Sequence, residues 1–392
     1  MEISKKFRIK PTKYQCDIID QTLNTLRGIH NLYIEKAEEA YEIFDTFLSA
    51  CDFNYMLNHD WKPLYPWVHN VSSKARKDCI MTVEKAYKRF FKHKGNKPRF
   101  KSKHRNPIRS FHFIKNGIRQ VSHNIIWIPI LHEVKICNSD YFNPNDEITS
   151  GRIIKSNDGK YYMMLRIKCK NPKVLKHELR NNPIGVDMGI KTYATISDGH
   201  THVKVSNPNK RESVKRIESK IKSLQRVISR KVETNKKKGG TATIYHSHNI
   251  DKINRRINRL YQRLNNIRTD FINKLVYMLV ARTKPEYICI EDLNIRGLLR
   301  KSYHKLADHI AKCKWDYFST HLAFKCKQYD VELRIANKLF ASSKTCSECG
   351  HKKSKLTLSE RTYVCKHCGL EIDRDVNAAI NLLKTTDYKL AN

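Results

Sequence analysis

The order of strand and helix patterns in the second half of the sequence restricts the possible folds more than any other feature. Three short segments, at 184–190, 192–197 and 201–205, carry strand patterns and follow one another through tight turns. One of these turns is Asp198-Gly199. The arrangement predicts three consecutive strands, each paired with the one before it.

Two long helical patterns follow these strands. Their apolar residues recur at alternating spacings of three and four, which is the spacing of a coiled-coil seam. The seam residues are Val214, Ile217, Ile221, Leu224 and Ile228 in the first pattern and Ile253, Ile257, Leu260, Leu264, Ile267 and Phe271 in the second. Because a Lys- and Gly-rich turn at 236–240 lies between the patterns, the sequence predicts an antiparallel helical hairpin.

Four further elements complete the order. Residues 287–290 read as a buried strand, 308–329 as an amphipathic helix, 331–336 as a strand and 376–383 as a final helix. In chain order the elements are β-β-β-α-β-α-β-α, which is the order of the ribonuclease H-like fold. The first three strands of that fold are antiparallel, and the fourth lies beside the first.

Three acids occupy specified points of this fold. Asp187 lies in the first strand (IGVDMGI), Glu291 ends the fourth (YICIEDL), and Asp375 lies in the first turn of the last helix (IDRDVNAAINLL). An ionised carboxylate in an apolar strand is unfavourable unless a partner compensates it. Two Mg²⁺ ions about 4 Å apart would do so and could activate a water for phosphoryl displacement. The three acids are therefore predicted to be catalytic ligands of two Mg²⁺ ions.

Each acid also has a simpler possible role. Asp373 or Asp375 could cap the last helix, and Glu291 could be a solvated acid at a strand end. We expect Asp292 to face away from Glu291 and Asp198 to serve its turn. The joint placement of the three acids at the centre of one fold favours catalysis. The small pair Ala378-Ala379 should let the last helix pack closely on the sheet.

Four cysteines near the C-terminus form two C-x2-C pairs with fifteen residues between them. They are Cys346, Cys349, Cys365 and Cys368. A glycine follows the second cysteine of each pair, as in the knuckles of structural zinc sites. Four thiolates leave no open position for water, so we predict one structural Zn²⁺ rather than a hydrolytic one. The remaining eight cysteines are scattered, which is not the pattern of a disulfide framework.

The net charge indicates a polyanionic partner. The 392 residues include 76 Lys and Arg against 38 Asp and Glu, a formal charge of +38. Because 40% of the residues are hydrophobic, the chain can bury real cores, which excludes a disordered basic tail as a description of the whole. Nucleic acid is the partner that this excess of cations fits best.

Targeting signals are not evident in the sequence. Residues 1–10 have no apolar core or cleavage site of a secretory signal. No window approaches the ~18 uninterrupted apolar residues of a membrane span. We therefore expect a soluble intracellular protein with no membrane partner and no small-molecule cofactor.

The first half of the chain predicts a strand, a helical module and a run of further strands. Residues 1–10 alternate as a strand would, and helical periodicity then runs from 11 to 50 and from 72 to 91. Short strands are predicted at 110–114, 125–130, 133–137, 147–154 and 161–170, with a hairpin turn at Asn157-Asp158-Gly159. These strands and the first one suggest a small β-barrel interrupted by the helical module.

A basic segment precedes the barrel strands. Residues 95–109 (GNKPRFKSKHRNPIR) are rich in Lys and Arg and contain no acid. Such a segment can be a solvated loop, but the charge of the whole chain favours contact with phosphates. The candidate contact residues are Arg99, Lys101, Lys103 and Arg105.

Seven motifs along nearly the whole chain resemble those of the TnpB family. They are FRIKPTKYQ, KPRFKSK, GVDMGIKTYATISDG, IRTDFINKL, ICIEDLNIRG, SSKTCSECG and DRDVNAAINLL. This family comprises transposon-encoded OrfB-type insertion-sequence proteins and is related to compact type V CRISPR effectors and to Fanzor proteins. The later motifs are specific in combination, whereas the N-terminal ones are weaker.

The resemblance implies an RNA-guided DNA endonuclease. In that family the protein binds a transposon-derived guide RNA, recognises a short motif beside a double-stranded DNA target and cuts with a RuvC-like nuclease. The family's catalytic positions match Asp187, Glu291 and Asp375. Base pairing would then select the target while the protein supplies a cationic channel. The protein would act in the cytoplasm or nucleoid, or in the nucleus of a eukaryotic host.

The expected fold is multidomain α+β. It combines a wedge β-barrel, a helical recognition module and a RuvC-like, ribonuclease H-like α/β nuclease domain with a helical hairpin and an inserted zinc ribbon. The expected bounds are 1–10 and 106–180 for the wedge barrel, 11–105 for the recognition module, 181–341 and 371–392 for the nuclease domain, and 342–370 for the zinc ribbon that binds target nucleic acid.

Other functions would account for some of these sequence features. A nuclease-inactive, RNA-guided repressor is the first alternative, but it would be favoured by the loss of an acid and all three are present. A guide-independent RuvC-like resolvase or transposase shares the chemistry but gives the first 170 residues no purpose. A plain zinc-ribbon regulator leaves the acids in apolar strands unexplained.

Overall fold

The computed structural model forms two compact units, Met1–Pro172 and Lys173–Asn392, which are described separately. The described residues are 2–103, 106–113, 118–137, 147–168, 182–237, 247–301, 303–357 and 359–391. Within these ranges, no helix combines the length and the apolar character that crossing a lipid bilayer would require.

The α-helices in the described part of the first unit are α1 (Lys13–Phe44), α2 (Ala50–Asn58) and α3 (Ser73–Phe91). Helix α1 begins with a capping box, in which the Thr12 hydroxyl accepts from the Gln15 N–H and the Gln15 side chain accepts from the Thr12 N–H. It ends at Asp45, whose backbone is left-handed (φ 48°). The helical pattern predicted from residue 11 to 50 therefore ends early, and α2 forms a separate helix.

Among the residues that the structure describes, the first unit has one antiparallel sheet of seven strands. They are β1 (Glu2–Lys10), β2 (Ser110–Phe113), β3 (Arg119–Ser122), β4 (Ile125–Ile128), β5 (His132–Cys137), β6 (Glu147–Lys155) and β7 (Tyr161–Lys168). Their order is β2-β6-β7-β1-β5-β4-β3. As predicted, the N-terminal strand joins strands that follow the helical module, and it pairs with both β5 and β7. The sequence pattern did not predict β3.

The hairpin between β6 and β7 turns where the sequence indicated. Gly159 has φ +82°, and its N–H donates to the Ser156 carbonyl over 3.0 Å. Only glycine adopts such a backbone easily. Between the two outermost strands of the sheet, β2 and β3, the described residues contain no pairing, so closure into a barrel stays a prediction. The helices and the sheet share one hydrophobic core, which includes Phe7, Leu26 and Met163.

Within its described ranges, the second unit is built on a sheet of six strands. Its strands are β8 (Ile184–Met188), β9 (Thr192–Ser197), β10 (His202–Ser206), β11 (Tyr287–Glu291), β12 (Glu332–Ala336) and β15 (Tyr388–Leu390). Their order is β10-β9-β8-β11-β12-β15. The first three are antiparallel to one another, and β11 runs parallel to β8 and β12. The predicted order, with the fourth strand beside the first, is confirmed, and β15 is an addition.

Two long helices pack against each other as predicted. They are α4 (Glu212–Lys237) and α5 (His248–Tyr277), and α5 continues into a π-helical turn at Met278–Arg282. Their shared core contains the predicted seam residues, among them Val214, Ile221 and Leu264, except Phe271, which packs against the core of the six-stranded sheet. Residues 238–246 lie outside the described ranges, so the predicted turn is only described up to Lys237.

The single helix predicted over 308–329 is wrong. Two helices, α7 (His304–Cys313) and α8 (Trp315–Tyr329), meet at Lys314, whose backbone is left-handed with φ 54°. The Lys314 ammonium donates to Asn265 Oδ1 over 3.0 Å and to Thr269 Oγ1 over 2.8 Å, both on α5. These contacts between distant residues stabilise a break that the local periodicity does not reveal. A short helix, α6 (Ile295–Lys301), precedes α7 and was also not predicted.

The final helix, α9 (Arg374–Lys384), lies directly on strand β8. A Cβ added to Gly185 of β8 would stand 2.1 Å from the Ala379 carbonyl oxygen and 2.7 Å from the Leu383 nitrogen. The absence of a side chain at Gly185 therefore permits this contact between strand and helix. Ala378 and Ala379 are fully buried, as expected of residues that pack closely on a sheet. Two short strands, β13 (Thr362–Val364) and β14 (Glu371–Asp373), precede α9.

Candidate active site and metal centre

The sheet of the second unit places two of the predicted acids side by side. Strands β8 and β11 are parallel, with Val186 opposite Ile290, so Asp187 and Glu291 follow at the next position of each strand. Successive side chains of a strand alternate between the faces of the sheet, so these two acids project from the same face. Asp375 lies in the first turn of α9, the helix that packs on β8.

The electrostatics show that the three acids are neighbours. Burial raises the pKa of Asp187 well above its ordinary value, and repulsion from Glu291 and Asp375 raises it further. Burial also raises the pKa of Glu291, although the Ser342 hydroxyl and the positive charge of Arg374 oppose this shift. Buried carboxylates that repel one another are a cluster that a bound cation would stabilise.

The three carboxylates do not converge as closely as the cysteines do. Across the described ranges, the four cysteines are the only group of three or more Cys, His, Asp or Glu residues whose ligand atoms all lie within 4.8 Å of one another. A cation bound by all three carboxylates would therefore have to draw their side chains together.

Asp373, and not Asp375, caps helix α9. Its Oδ1 accepts from the N–H groups of Asp375 over 3.1 Å and Val376 over 3.2 Å. Its Oδ2 lies 2.6 Å from the Lys204 ammonium. The possibility that Asp375 caps the helix is therefore wrong, and the Asp375 carboxylate is left for another role.

Two further acids have the structural roles that the sequence indicated. Asp292 pairs with the Lys389 ammonium of β15 over 2.6 Å, away from the Asp187 cluster. Asp198 accepts from the N–H groups of His200 over 2.9 Å and Thr201 over 2.6 Å, which closes the turn between β9 and β10. Both predictions are confirmed.

The four predicted cysteines converge on one point. Cys346 Sγ lies 3.6 Å from Cys368 Sγ, and Cys349 Sγ lies 3.6 Å from Cys365 Sγ. Sulfurs at the corners of a tetrahedron, each ~2.3 Å from a central Zn²⁺, lie about 3.8 Å apart. The donor set and its spacing therefore fit a zinc ion with four protein ligands, and the ion would have no open position for water.

The two cysteine pairs adopt the same backbone conformation. The N–H of Gly350 donates to the Cys346 carbonyl, and the N–H of Gly369 to the Cys365 carbonyl, each over 3.0 Å. Both glycines have positive φ, 75° and 76°. Hydrogen bonding from the Cys368 N–H lowers the pKa of the Cys365 thiol to about 6, which favours the thiolate that binds metal.

Three polar residues near both sites were not predicted from the sequence. Ser342 donates its hydroxyl hydrogen to Glu291 Oε1. Asn377 and Asn381 of α9 bind the backbone of the segment that leads into the first cysteine pair. A signal did exist: the two asparagines lie four residues apart in the otherwise apolar run VNAAINLL, and a polar residue in a buried helix face needs a partner.

The predicted nucleic-acid segment is held along helix α1 of the first unit. The Asn31 side chain accepts from the Lys101 N–H over 2.7 Å and donates to the Lys101 carbonyl over 3.0 Å. Arg99 and Lys103 are exposed, whereas Lys101 is half-buried. Arg105 lies outside the described residues. Their contact with phosphates stays a prediction.

Three family models match the chain, in order and without overlap. A "Helix-turn-helix domain" model of OrfB proteins matches residues 1–43, a "Probable transposase" model of the same proteins matches 166–302, and a "Cas12f1-like, TNB domain" model matches 315–382. In this chain the first matched segment consists of β1 and most of the single helix α1.

Two relatives that align along nearly the whole chain have names that begin "Putative RNA-guided DNA endonuclease". The Streptomyces pristinaespiralis protein is 28% identical over 380 residues, which cover 96% of this chain and 88% of the relative. The Escherichia coli K12 protein is 23% identical over 401 residues, which cover 98% and 92%.

One solved structure has a similar fold over nearly its whole length. The protein chain in "Cryo-EM structure of the Cas12f1-sgRNA-target DNA complex" aligns with a TM-score of 0.58 and 14% identity, and the alignment covers 99% of each chain. At this identity the likeness concerns the fold alone. The models and the relatives show that the chain is similar to OrfB-type proteins of insertion sequences. They confirm the predicted resemblance to the TnpB family.

Proposed function

We propose that this protein is an RNA-guided DNA endonuclease. It would bind a transposon-derived guide RNA, recognise a short motif beside a double-stranded target and hydrolyse DNA with a RuvC-like site formed by Asp187, Glu291 and Asp375. The observation that carries the proposal is the placement of these three acids on the adjacent strands β8 and β11 and in the first turn of α9. Burial, and then repulsion from Glu291 and Asp375, raises the pKa of Asp187 there. A cluster of this kind, within a sheet of ribonuclease H-like order, is arranged to hold cations.

The names of the relatives and the charge of the chain support the partners in this proposal. Two relatives that align along nearly the whole chain are named as RNA-guided DNA endonucleases. The formal charge of +38 suits a protein that holds nucleic acid along its phosphates. The first unit, with its wedge sheet and recognition helices, would bind guide RNA and the target-adjacent motif. Arg99, Lys101 and Lys103 are its candidate phosphate contacts.

The acid cluster suits Mg²⁺ because carboxylate oxygens are the ligands that Mg²⁺ prefers. Asp187, Glu291 and Asp375 would hold two ions, which when bound supply an activated water and stabilise the leaving oxygen of the phosphodiester. The protein fixes the ligands through its backbone: adjacent parallel strands hold Asp187 and Glu291, and the close packing of α9 on Gly185 holds Asp375.

The zinc ribbon would have a structural part in this function. Its four cysteines would hold one Zn²⁺, and α9, which follows the ribbon directly, carries Asp375. The Arg374 side chain donates to the Thr357 carbonyl of the ribbon over 3.1 Å, one residue before Asp375. Folding of the ribbon would therefore help to place the start of the catalytic helix.

Sequencing of the RNA that co-purifies with the protein from its native locus tests the proposal. A discrete transcript that extends past the end of the transposable element is expected. Replacing its guide segment should redirect Mg²⁺-dependent cleavage to a matching DNA target. Random RNA together with guide-independent cutting would instead support a resolvase. A discrete RNA with target binding but no cutting would support a repressor.

A further inference from the structure

Three buried polar side chains lie between the acid cluster and the zinc ribbon. Ser342 is 2% exposed, Asn377 is fully buried and Asn381 is 6% exposed. None of them belongs to the predicted ligands of either metal. Buried polar groups persist in native structures when their hydrogen bonds are satisfied, and the partners of these three residues connect the two sites.

Ser342 contacts the acid cluster directly. Its hydroxyl group donates to Oε1 of Glu291, the acid that ends β11. A hydroxyl has one hydrogen to donate, so this bond fixes one carboxylate oxygen and leaves Oε2 for other partners. Hydrogen-bond donors of this kind orient metal-binding carboxylates, and losing one typically lowers metal affinity or activity by about 10- to 100-fold.

Asn381 in turn holds Ser342 from helix α9. Its Nδ2 donates to the Ser342 carbonyl over 2.8 Å and to the Thr345 carbonyl over 2.6 Å. Both hydrogens of the amide are thus used on one short segment. Since α9 also carries Asp375, the position of Ser342 is tied to the helix that supplies the third acid.

Asn377 makes a second attachment one helical turn earlier. Its Oδ1 accepts from the Ser347 N–H over 2.9 Å, and its Nδ2 donates to the Thr345 carbonyl over 2.7 Å. Thr345 and Ser347 flank Cys346, the first zinc ligand. The segment 342–347 is therefore fixed to α9 at both ends, with Glu291 contacted at its start and the zinc site entered at its end.

We infer that Ser342 is a positioning residue for Glu291, and that Asn377 and Asn381 fix Ser342 by holding segment 342–347 on α9. The inference rests on the proposed function, because it assigns Ser342 a role through a metal-binding Glu291. It adds a specific connection: the ribbon influences the orientation of the Glu291 carboxylate through Ser342, in addition to any effect on Asp375.

Ser342→Ala tests the contact with Glu291. The backbone carbonyl that Asn381 holds remains in this variant, so zinc content and melting temperature should match those of the wild type. Mn²⁺ titration of the guide-free full-length chain, followed by electron paramagnetic resonance, should show about tenfold weaker binding at the site that Asp187→Ala abolishes. In the guide-RNA complex, half-maximal cleavage should require about tenfold more Mg²⁺.

Two variants serve as controls for that measurement. Ser342→Thr keeps the hydroxyl and should restore most of the Mn²⁺ affinity. The neighbouring Ser343 is partly exposed, and its side chain makes no hydrogen bond within the described part of the chain. Ser343→Ala should therefore behave as the wild type in both assays, which separates the effect of Ser342 from a general change in the segment.

A double-mutant cycle tests whether Asn381 acts through Ser342. Asn381→Ala should raise the Mg²⁺ requirement about as much as Ser342→Ala does, and the double variant should be little worse than Asn381→Ala alone. Residues that act on one contact show such non-additivity. Effects that multiply would show independent roles and would overturn the link between Asn381 and Ser342.

The outcomes distinguish the inference from the function on which it rests. Wild-type protein that binds Mn²⁺ and cuts, together with a Ser342→Ala variant indistinguishable from Ser343→Ala, would overturn the inference alone. Wild-type protein that shows neither Mn²⁺ binding nor cleavage would overturn the proposed function and the inference with it.

Discussion

The four cysteines and the three acids are both clusters of potential metal ligands, but the two clusters are arranged in different ways. The four sulfurs already lie within 4.8 Å of one another, and backbone N–H groups support them. The three carboxylates are neighbours that do not converge as closely, and burial and repulsion raise the pKa values of two of them. The cysteine cluster fits a permanently bound ion. The acid cluster carries a repulsion that a bound cation would relieve.

The chain separation of the ligands accounts for this difference. The cysteines lie within one 23-residue segment, whereas 188 positions separate Asp187 from Asp375. In each C-x2-C pair, the geometry of a local turn positions the cysteine ligands. The acid cluster depends on the assembly of a sheet and a helix, so each of its members can be perturbed separately.

Loss of an acid from the cluster should have the largest effect on activity. Asp187→Ala or Glu291→Ala should lower Mg²⁺-dependent cleavage by at least about 1,000-fold, because catalytic residues that act as a unit fail together. Binding of guide RNA, measured by filter retention, should not change, since the cationic surface remains. Asp292→Asn is the matched control, because in the described part of the chain that acid pairs with Lys389 alone. Cutting by either alanine variant at the wild-type rate would remove the proposed active site.

Loss of a cysteine should affect stability and activity together, unlike loss of an acid. Cys346→Ser should release zinc, lower the melting temperature by about 5 °C or more and reduce cleavage, because ribbon folding and metal binding are coupled. The exposed cysteine Cys51 of the first unit provides the control, Cys51→Ser. Zinc content by atomic absorption and melting by calorimetry would check this. Full zinc content and unchanged melting would contradict the assignment of the ribbon.

The burial of Asp187 and the repulsion from its neighbouring acids predict that the stability of the metal-free protein depends on pH. Folding raises the pKa of Asp187 from its ordinary 3.8, so the neutral acid favours the folded state. This stabilisation is present at acidic pH and is lost as the pH rises through the raised pKa. Asp187→Asn stays neutral, so without metal it should melt about 2–4 °C above the wild type at pH 8. The difference should vanish near pH 4, and a difference independent of pH would contradict this origin.

The cap of α9 should give the smallest effect. Asp373→Ala removes the acceptor for two N–H groups and should destabilise the second unit by about 1 kcal/mol. Asp373→Asn keeps a good capping group and should lose less, since only the pair with Lys204 is weakened. Chemical denaturation of both variants would measure the difference. Equal losses would mean that the ion pair, and not the cap, carries the effect.

Features that depend on nearby residues were predictable from the sequence. The C-x2-C pairs, the turn at Gly159 and the seam of the helical hairpin follow from spacing within a few residues. The sheet order also followed, because few folds accommodate three consecutive strands and then alternating helices and strands. Within that order, the positions of Asp187 and Glu291 on adjacent strands could be inferred from the sequence alone.

Features that depend on contacts between distant residues were not predictable. The break at Lys314 requires acceptors on α5, 45 and 49 residues away. The hydrogen bond from Ser342 to Glu291 joins residues 51 positions apart, and the sequence around either residue does not predict it. Helical periodicity predicts which side of a helix is apolar. It does not predict which distant polar atom a serine or lysine side chain will contact.

The contact at Gly185 has a consequence for how much of this protein can be altered. Because main-chain atoms of α9 rest on main-chain atoms of β8, no side chain can be repacked to absorb a shift between them. Insertions should therefore be tolerated in the exposed connections around β8 and α9 but not within these two elements. A shorter or chimeric version of the protein would have to keep Gly185 and helix α9 together.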